Sequence, residues 1–182
     1  MTSDSTQLQS VRTAWPAEAA AIAPIQRRVW TEEWSAAETA ALLAGTDLQA
    51  MAEVWNEAIA RPPEATCRVL VALEGQRVVG FAATGPSDDE DAQPRDGMVT
   101  EFAIDPIERG KGHGSRLMNA AIDTLRGDGF TTATWWVRTT NDPLRAFLQS
   151  AGWQPDGATQ EFTADDGSFT VKQVRLRVRI AD

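Results

Sequence analysis

Tyrosine is absent from this chain of 182 residues, and cysteine and histidine occur once each, as Cys67 and His113. No phenol is therefore on hand as a proton donor. A single cysteine excludes a disulfide within the chain and fits a reducing compartment, so a cytoplasmic location is expected. One cysteine and one histidine cannot supply the clustered ligands of a zinc site, and no metal is expected. No apolar run reaches the ~18 residues that a membrane-spanning helix needs. The first ten residues, MTSDSTQLQS, are polar with only acidic charge, so no signal peptide is expected. Residues 1–6 are expected to be disordered.

Basic residues are also in short supply. Lys and Arg number 17 against 26 Asp and Glu, for a net charge of -9. The imbalance sits in residues 1–100, with 7 basic and 15 acidic residues, leaving 10 and 11 for the remainder. An acidic chain is a poor ligand for nucleic-acid phosphates, so neither nucleic acid nor membrane is expected as a partner. The acidic half could draw a cationic small molecule or simply keep the chain in solution. The length suits one domain, and no repeat or linker divides it, so residues 1–182 are expected to form a single domain.

What the chain does have is concentrated between Met98 and Ser115. A strand-like run, Val99 to Ile104, ends at Asp105-Pro106. The loop Arg109-Gly110-Lys111-Gly112-His113-Gly114-Ser115 follows, and then an amphipathic helix, Arg116 to Arg126, with Leu117, Ala121, Ile122 and Leu125 on one face. A strand, a glycine-rich loop and a helix start together make an anion site. The first amides of a helix lack partners and carry partial positive charge, and glycine lets a bulky anion approach the backbone. Arg109 and Lys111 would add full charges. A phosphate or pyrophosphate is the expected ligand; a glycine-rich turn capping an ordinary helix is the plainer reading. The lysine comes too early for a Walker loop, and GxGxG is not the GxGxxG of a dinucleotide fold.

Elsewhere the pattern alternates between helical and extended. Residues 7–13 read as a strand. Ala17 to Trp30 reads as a helix that Pro24 should kink or split. Ser35 to Glu38 is a capping box opening a short helix to Ala44. Asp47 can cap Leu48 to Ala60, with Met51, Val54, Trp55 and Ile59 on one face, before Pro62 and Pro63 stop it. Cys67–Leu73 and Arg77–Thr84 form a hairpin about Gly75. Residues 85–97, with Asp88-Asp89-Glu90-Asp91, read as a mobile loop and a solvated charge run. Phe130 to Arg138 is strand-like, and a helix runs from Asn141-Asp142-Pro143 to Ser150. Two more strands lie near Thr159–Thr163 and Phe169–Ile180. The last of these could pair in a homodimer.

Arg109, Gly112 and Gly114 form an Arg-x-x-Gly-x-Gly pattern directly after a strand ending in Ile-Asp-Pro. A second block, Val137 to Asn141 followed by Phe147 to Trp153, stands at a fitting distance. Together they resemble the GNAT superfamily, the Gcn5-related N-acetyltransferases, with element order matching over about residues 7–180. The resemblance implies an α+β, three-layer α/β/α fold. Its central sheet would be mixed but mostly antiparallel, of about six or seven strands, with helices on both faces and a splay between strands four and five. It implies acetyl-CoA as cosubstrate, with the pantetheine arm lying along Phe102, Ala103 and Ile104 like an added strand. The pyrophosphate would sit on Arg109, Gly110, Lys111, Gly112, His113, Gly114 and Ser115, and Asn141 would orient the arm.

The reaction implied is attack of an amine, on a small molecule or an exposed amino group, upon the acetyl thioester. Glu101 is the nearest carboxylate for a base or amine anchor, although strand alternation could turn it to the surface and leave Thr100 facing the site. Glu33, between Trp30 and Trp34, is another candidate for holding a cationic amine, against the reading that both Trp are core. His113 is expected to contribute its backbone N–H, and Cys67 to be a buried thiol. Trp135 and Trp136 are adjacent on a strand, so at most one should line the cleft. The family's usual proton donor to the departing thiol is a Tyr, and that position holds Leu148. This departure keeps open a non-catalytic acyl-CoA-binding module, and the glycine loop alone would also allow a nucleotide-binding protein outside the family.

Overall fold

The structure is a computed structural model that describes residues 8–181. The expectation of disorder for residues 1–6 lies outside the described residues. Strand β1 (Gln9–Thr13) is followed by a 3-10 turn (Pro16–Glu18) and helices α1 (Ala19–Glu33), α2 (Ala36–Leu42) and α3 (Leu48–Ala60). Strands β2 (Arg68–Glu74), β3 (Arg77–Pro86) and β4 (Asp96–Ile104) come next, then α4 (His113–Gly127), β5 (Thr132–Arg138), α5 (Asp142–Ser150), β6 (Gln154–Thr163) and β7 (Thr170–Arg179). The seven strands form one sheet in the order β1-β2-β3-β4-β5-β7-β6, antiparallel throughout except between β4 and β5.

The local chemistry accounts for the element ends. Ser35 Oγ accepts from Glu38 N while the Glu38 carboxylate accepts from Ser35 N at 2.7 Å, which closes the predicted capping box. Asp47 Oδ1 accepts from Ala50 N at 2.8 Å at the start of α3. Helix α1 runs through Pro24 without being split, with Pro16 opening the 3-10 turn before it. Val54 differs from expectation: it is 68% exposed, and α3 buries Met51 and Trp55 instead.

Both faces of the sheet are covered, as its residue alternation requires. Val69, Val71 and Leu73 of β2 pack with Ile22, Ile25 and Val29 of α1 and with Met51 and Trp55 of α3. Their neighbours Leu70 and Ala72 face the other way, toward Leu117 and Ala121 of α4. A third cluster joins Met118 and Leu125 of α4, Leu148 of α5, and Trp135, Trp153 and Leu176 beneath the C-terminal half of the sheet. Burying such apolar side chains supplies about 1.5–3 kcal/mol each, before the cost of ordering them.

Two expectations about the periphery are corrected. Residues 87–95 are a pinned connection. Arg175 of β7, buried to 5% exposure, donates to Asp89 (2.9 Å), Asp91 (2.6 Å) and Asp156 (2.7 Å), and Trp136 Nε1 donates to Asp89 at 2.8 Å. The acidic run therefore meets a buried cation, which composition alone does not reveal. The last strand is not free to join a second copy edge to edge: β7 lies between β5 and β6, so its backbone groups are engaged on both sides.

Candidate active site

Strands β4 and β5 are paired only from Asp96↔Thr132 to Val99↔Trp135. Beyond that point β4 stays bonded to β3 through Ile104, and β5 stays bonded to β7 through Arg138. The facing edges of Thr100–Ile104 and Trp136–Arg138 therefore part, and Phe102 packs on Trp135 at the fork, with ring centroids 4.9 Å apart. Separated strands leave backbone donors and acceptors unpaired, which suits a ligand that can bond as a strand.

One cavity, of about 390 Å³, opens from this fork toward the start of α4. It brings together ten of the eleven residues expected at a cofactor: Phe102, Ala103, Ile104, Arg109, Gly110, Gly112, His113, Gly114, Ser115 and Asn141. Gly112 is the N-cap of α4 with φ +83°, a left-handed conformation that glycine adopts without penalty. Gly112 has no side chain to cap this helix end, none among the described residues accepts from its first amides, and His113, Gly114 and Ser115 line the cavity. Arg116, not singled out from the sequence, donates from Nη2 to Lys111 O at 3.0 Å and lays its guanidinium beside Gly112. A residue whose backbone sits at i and whose head returns to i-5 gives no signal in a linear motif.

Lys111 is the exception. Its ammonium turns to Glu108 at 2.6 Å and does not line the cavity. Glu108 is held on its other oxygen by Arg77 at 2.7 Å, and Arg77 with Lys111 keeps the Glu108 carboxyl well below its usual range, at about 2. His113 is buried, its Nε2 has no hydrogen-bond partner among the described residues, and Glu74 lies 3.9 Å away. Burial pushes the His113 pKa down, which favours the neutral ring. His113, Glu74 and Glu108 converge as metal ligands might, but Arg77 also holds Glu74 at 2.6 Å. Three of the four carboxylate oxygens are thus already bound to side-chain cations, so the charge a metal would answer is met.

A second cavity, of about 290 Å³, lies on the α1 side of the fork. Consecutive residues of both strands border it, Thr100–Ala103 and Trp135–Arg138, so it sits in the gap between them. That is why Trp135 and Trp136 both line it, although their side chains leave opposite faces. Glu101 borders this cavity, has no ion-pair partner among the described residues, and is only partly exposed. Burial raises its carboxyl pKa to about 7. Thr100 is exposed and donates to Ala83 O at 3.4 Å. Asn141 borders both cavities, with its side-chain oxygen accepting from Leu144 N at 3.2 Å as the cap of α5.

The Trp30–Glu33–Trp34 group is not arranged as a trap for an amine. The Arg138 guanidinium covers the Trp34 ring, 4.0 Å from its centroid, and Arg138 is itself held by Glu38 at 2.7 Å. Glu33 pairs with Arg109 at 3.0 Å. Leu148, which stands in place of the expected proton donor, is fully buried against the aromatic cluster.

The sequence model of the Acetyltransferase (GNAT) family matches residues 20–153. A Bacillus subtilis (strain 168) protein, provisionally named a ribosomal-protein-bS18-alanine N-acetyltransferase, is 28% identical over 72 residues. The match takes in 40% of this chain and 48% of that protein, so the chain spans about half the length of this relative. An N-acetyltransferase structure from Staphylococcus aureus Mu50 superposes with a TM-score of 0.75 at 17% identity, covering 95% of this chain and 99% of that one. The yncA protein of Salmonella typhimurium, solved with its cofactor acetyl-CoA, superposes with a TM-score of 0.72 at 19% identity, over 96% and 95% of the two chains.

Proposed function

Since the chain belongs to the Acetyltransferase (GNAT) family, we propose that it moves an acetyl group from acetyl-CoA to a primary amine, on a small molecule or an exposed amino group, by direct attack. The observation that carries this reading is the uncapped start of α4, with Gly112 left-handed, opening into the cavity that runs along the parted edge of β4. The diphosphate would rest on the amides of that loop, and the pantetheine arm would bond to the backbone of Phe102, Ala103 and Ile104. The thioester would then lie at the fork, between the two cavities.

The amine approaches from the second cavity. Its nitrogen attacks the thioester carbon, a β4 N–H stabilises the oxygen as it becomes negative, and the C–S bond then breaks. The nitrogen gives its proton to Glu101, directly or through one water. A carboxyl held near 7 is half ionised at neutral pH and accepts that proton readily. Leu148 offers the departing sulfur no proton. A thiol pKa of about 8.5 lets the thiolate leave unassisted at modest cost.

Calorimetry with acetyl-CoA and thiol detection with a panel of primary amines test the reading. Micromolar binding and amine-dependent CoA release are expected. Absence of heat at high micromolar acetyl-CoA removes it. Because Leu148 leaves no acid at the sulfur, a non-catalytic acyl-CoA-binding module is the second reading; binding without release by any amine would favour that one.

A further inference from the structure

Of the three cations beside the glycine loop, Arg116 bonds to the Lys111 carbonyl, while Lys111 and Arg109 are paired with carboxylates, but not in the same way. Lys111 pairs locally with Glu108, three residues away, and Glu108 is shared with Arg77. Arg109 reaches back 76 residues to the end of α1. Its Nη1 lies 2.8 Å from Glu32 Oε2 and its Nη2 lies 3.0 Å from Glu33 Oε1. Neither carboxylate makes a second ion pair among the described residues, although the charge of Arg138 also acts on Glu33. Two adjacent anionic groups offering oxygens to two edges of one guanidinium reproduce what a diphosphate would offer. Glu33 also borders both cavities, so its carboxylate stands where the cofactor and acceptor sides meet.

We propose that Glu32 and Glu33 hold Arg109 as an internal substitute for the diphosphate, so that seating the cofactor exchanges these carboxylates for phosphate oxygens and releases Glu33 at the acceptor cavity. This rests on the acetyl-CoA reading of the loop. The exchange needs only side-chain rotation. The Glu33 backbone is held apart from it, since Arg138 Nη1 donates to Glu33 O at 3.0 Å and Trp34 N to Trp30 O at 3.0 Å. Glu32 and Glu33 side chains are 51% and 34% exposed, so water can receive them. The two acids also repel an incoming anion, and so act against the cofactor twice, by occupying Arg109 and by their own charge.

The test is a double-mutant cycle on the full chain, read by calorimetry with CoA as the probe. Glu33→Gln should tighten CoA binding about two- to fivefold, the scale of an exposed ion pair. Glu32→Gln should act in the same direction. In an Arg109→Gln background, which should itself bind CoA more weakly, Glu33→Gln should change affinity less than in the wild type, because the contested cation is gone. Pantetheine, which lacks the diphosphate, should bind wild type and Glu33→Gln equally when followed by NMR titration. A weaker or unchanged CoA affinity in Glu33→Gln overturns the exchange. So does an effect that persists in full without Arg109, or one that appears equally with pantetheine, since these would mark a general loosening of the cleft. Failure of the wild type to bind CoA removes the cofactor reading itself, and is seen separately in the first titration.

Discussion

Gly112 is the residue on which the proposed diphosphate seat turns. Its φ of +83° is costly for any residue with a Cβ, and the added atom would meet the Arg116 guanidinium at 3.2 Å. Gly112→Val is expected to abolish measurable acetyl-CoA binding in calorimetry. The circular dichroism spectrum should stay folded, because Arg116 is a flexible neighbour that can move. Retained micromolar affinity would mean that the loop is not the diphosphate seat. On the proposed reading Glu101 takes the amine's proton on the other side of the fork. With its carboxyl at about 7, activity should rise with pH through that value and then level off. Glu101→Gln should lower kcat by about 10²–10⁴ and erase that inflection. A pH profile that keeps the same inflection in the variant would assign the proton to another group.

Among the elements, the connection between β3 and β4 is held chiefly by Arg175, with Trp136 beside it. Arg175 serves Asp89, Asp91 and Asp156, and Asp89 and Asp156 keep side-chain exposures of only 11% and 16%. Arg175→Met removes the cation these carboxylates share, leaving Asp89 with the Trp136 N–H, and should cost about 1.5–3 kcal/mol in urea unfolding, with new protease cleavage inside residues 87–95. A loss below about 1 kcal/mol would show that the loop is held by other means. By contrast Asp47→Ala removes one cap and should cost only about 1 kcal/mol. The same comparison shows what could be read from the sequence. The caps at Ser35 and Asp47, the hairpin about Gly75 and the loop from Arg109 to Ser115 are local, so spacing of a few residues disclosed them. Arg175 finds its acids 84 and 86 residues away, and Arg109 finds Glu33 76 residues away. Those distances are closed by strand order, which puts β7 inside the sheet and α1 beside the loop, and no periodicity encodes that order.

For the molecule as a whole, the half-buried Glu101 and the buried His113 respond to pH in opposite directions. Glu101 has a folded pKa raised by burial, so the stability associated with its protonated form is lost as pH rises through about 7. His113 has a lowered folded pKa, so its contribution is full above the ordinary histidine range and is lost as pH falls. The two contributions have opposite signs, and single variants separate them. Glu101→Gln should gain Tm at pH 8 relative to wild type and little at pH 5, while His113→Leu should gain at pH 5 and little at pH 8. Parallel shifts at both pH values would assign the changes to packing. The placement of the tryptophans has a different kind of consequence. Four of the seven, Trp30, Trp34, Trp135 and Trp136, border the cavity at the fork, and no tyrosine competes with them for ultraviolet excitation. The emission of the native chain is therefore weighted toward the cleft, and occupancy there can be followed by its own light, with no attached dye.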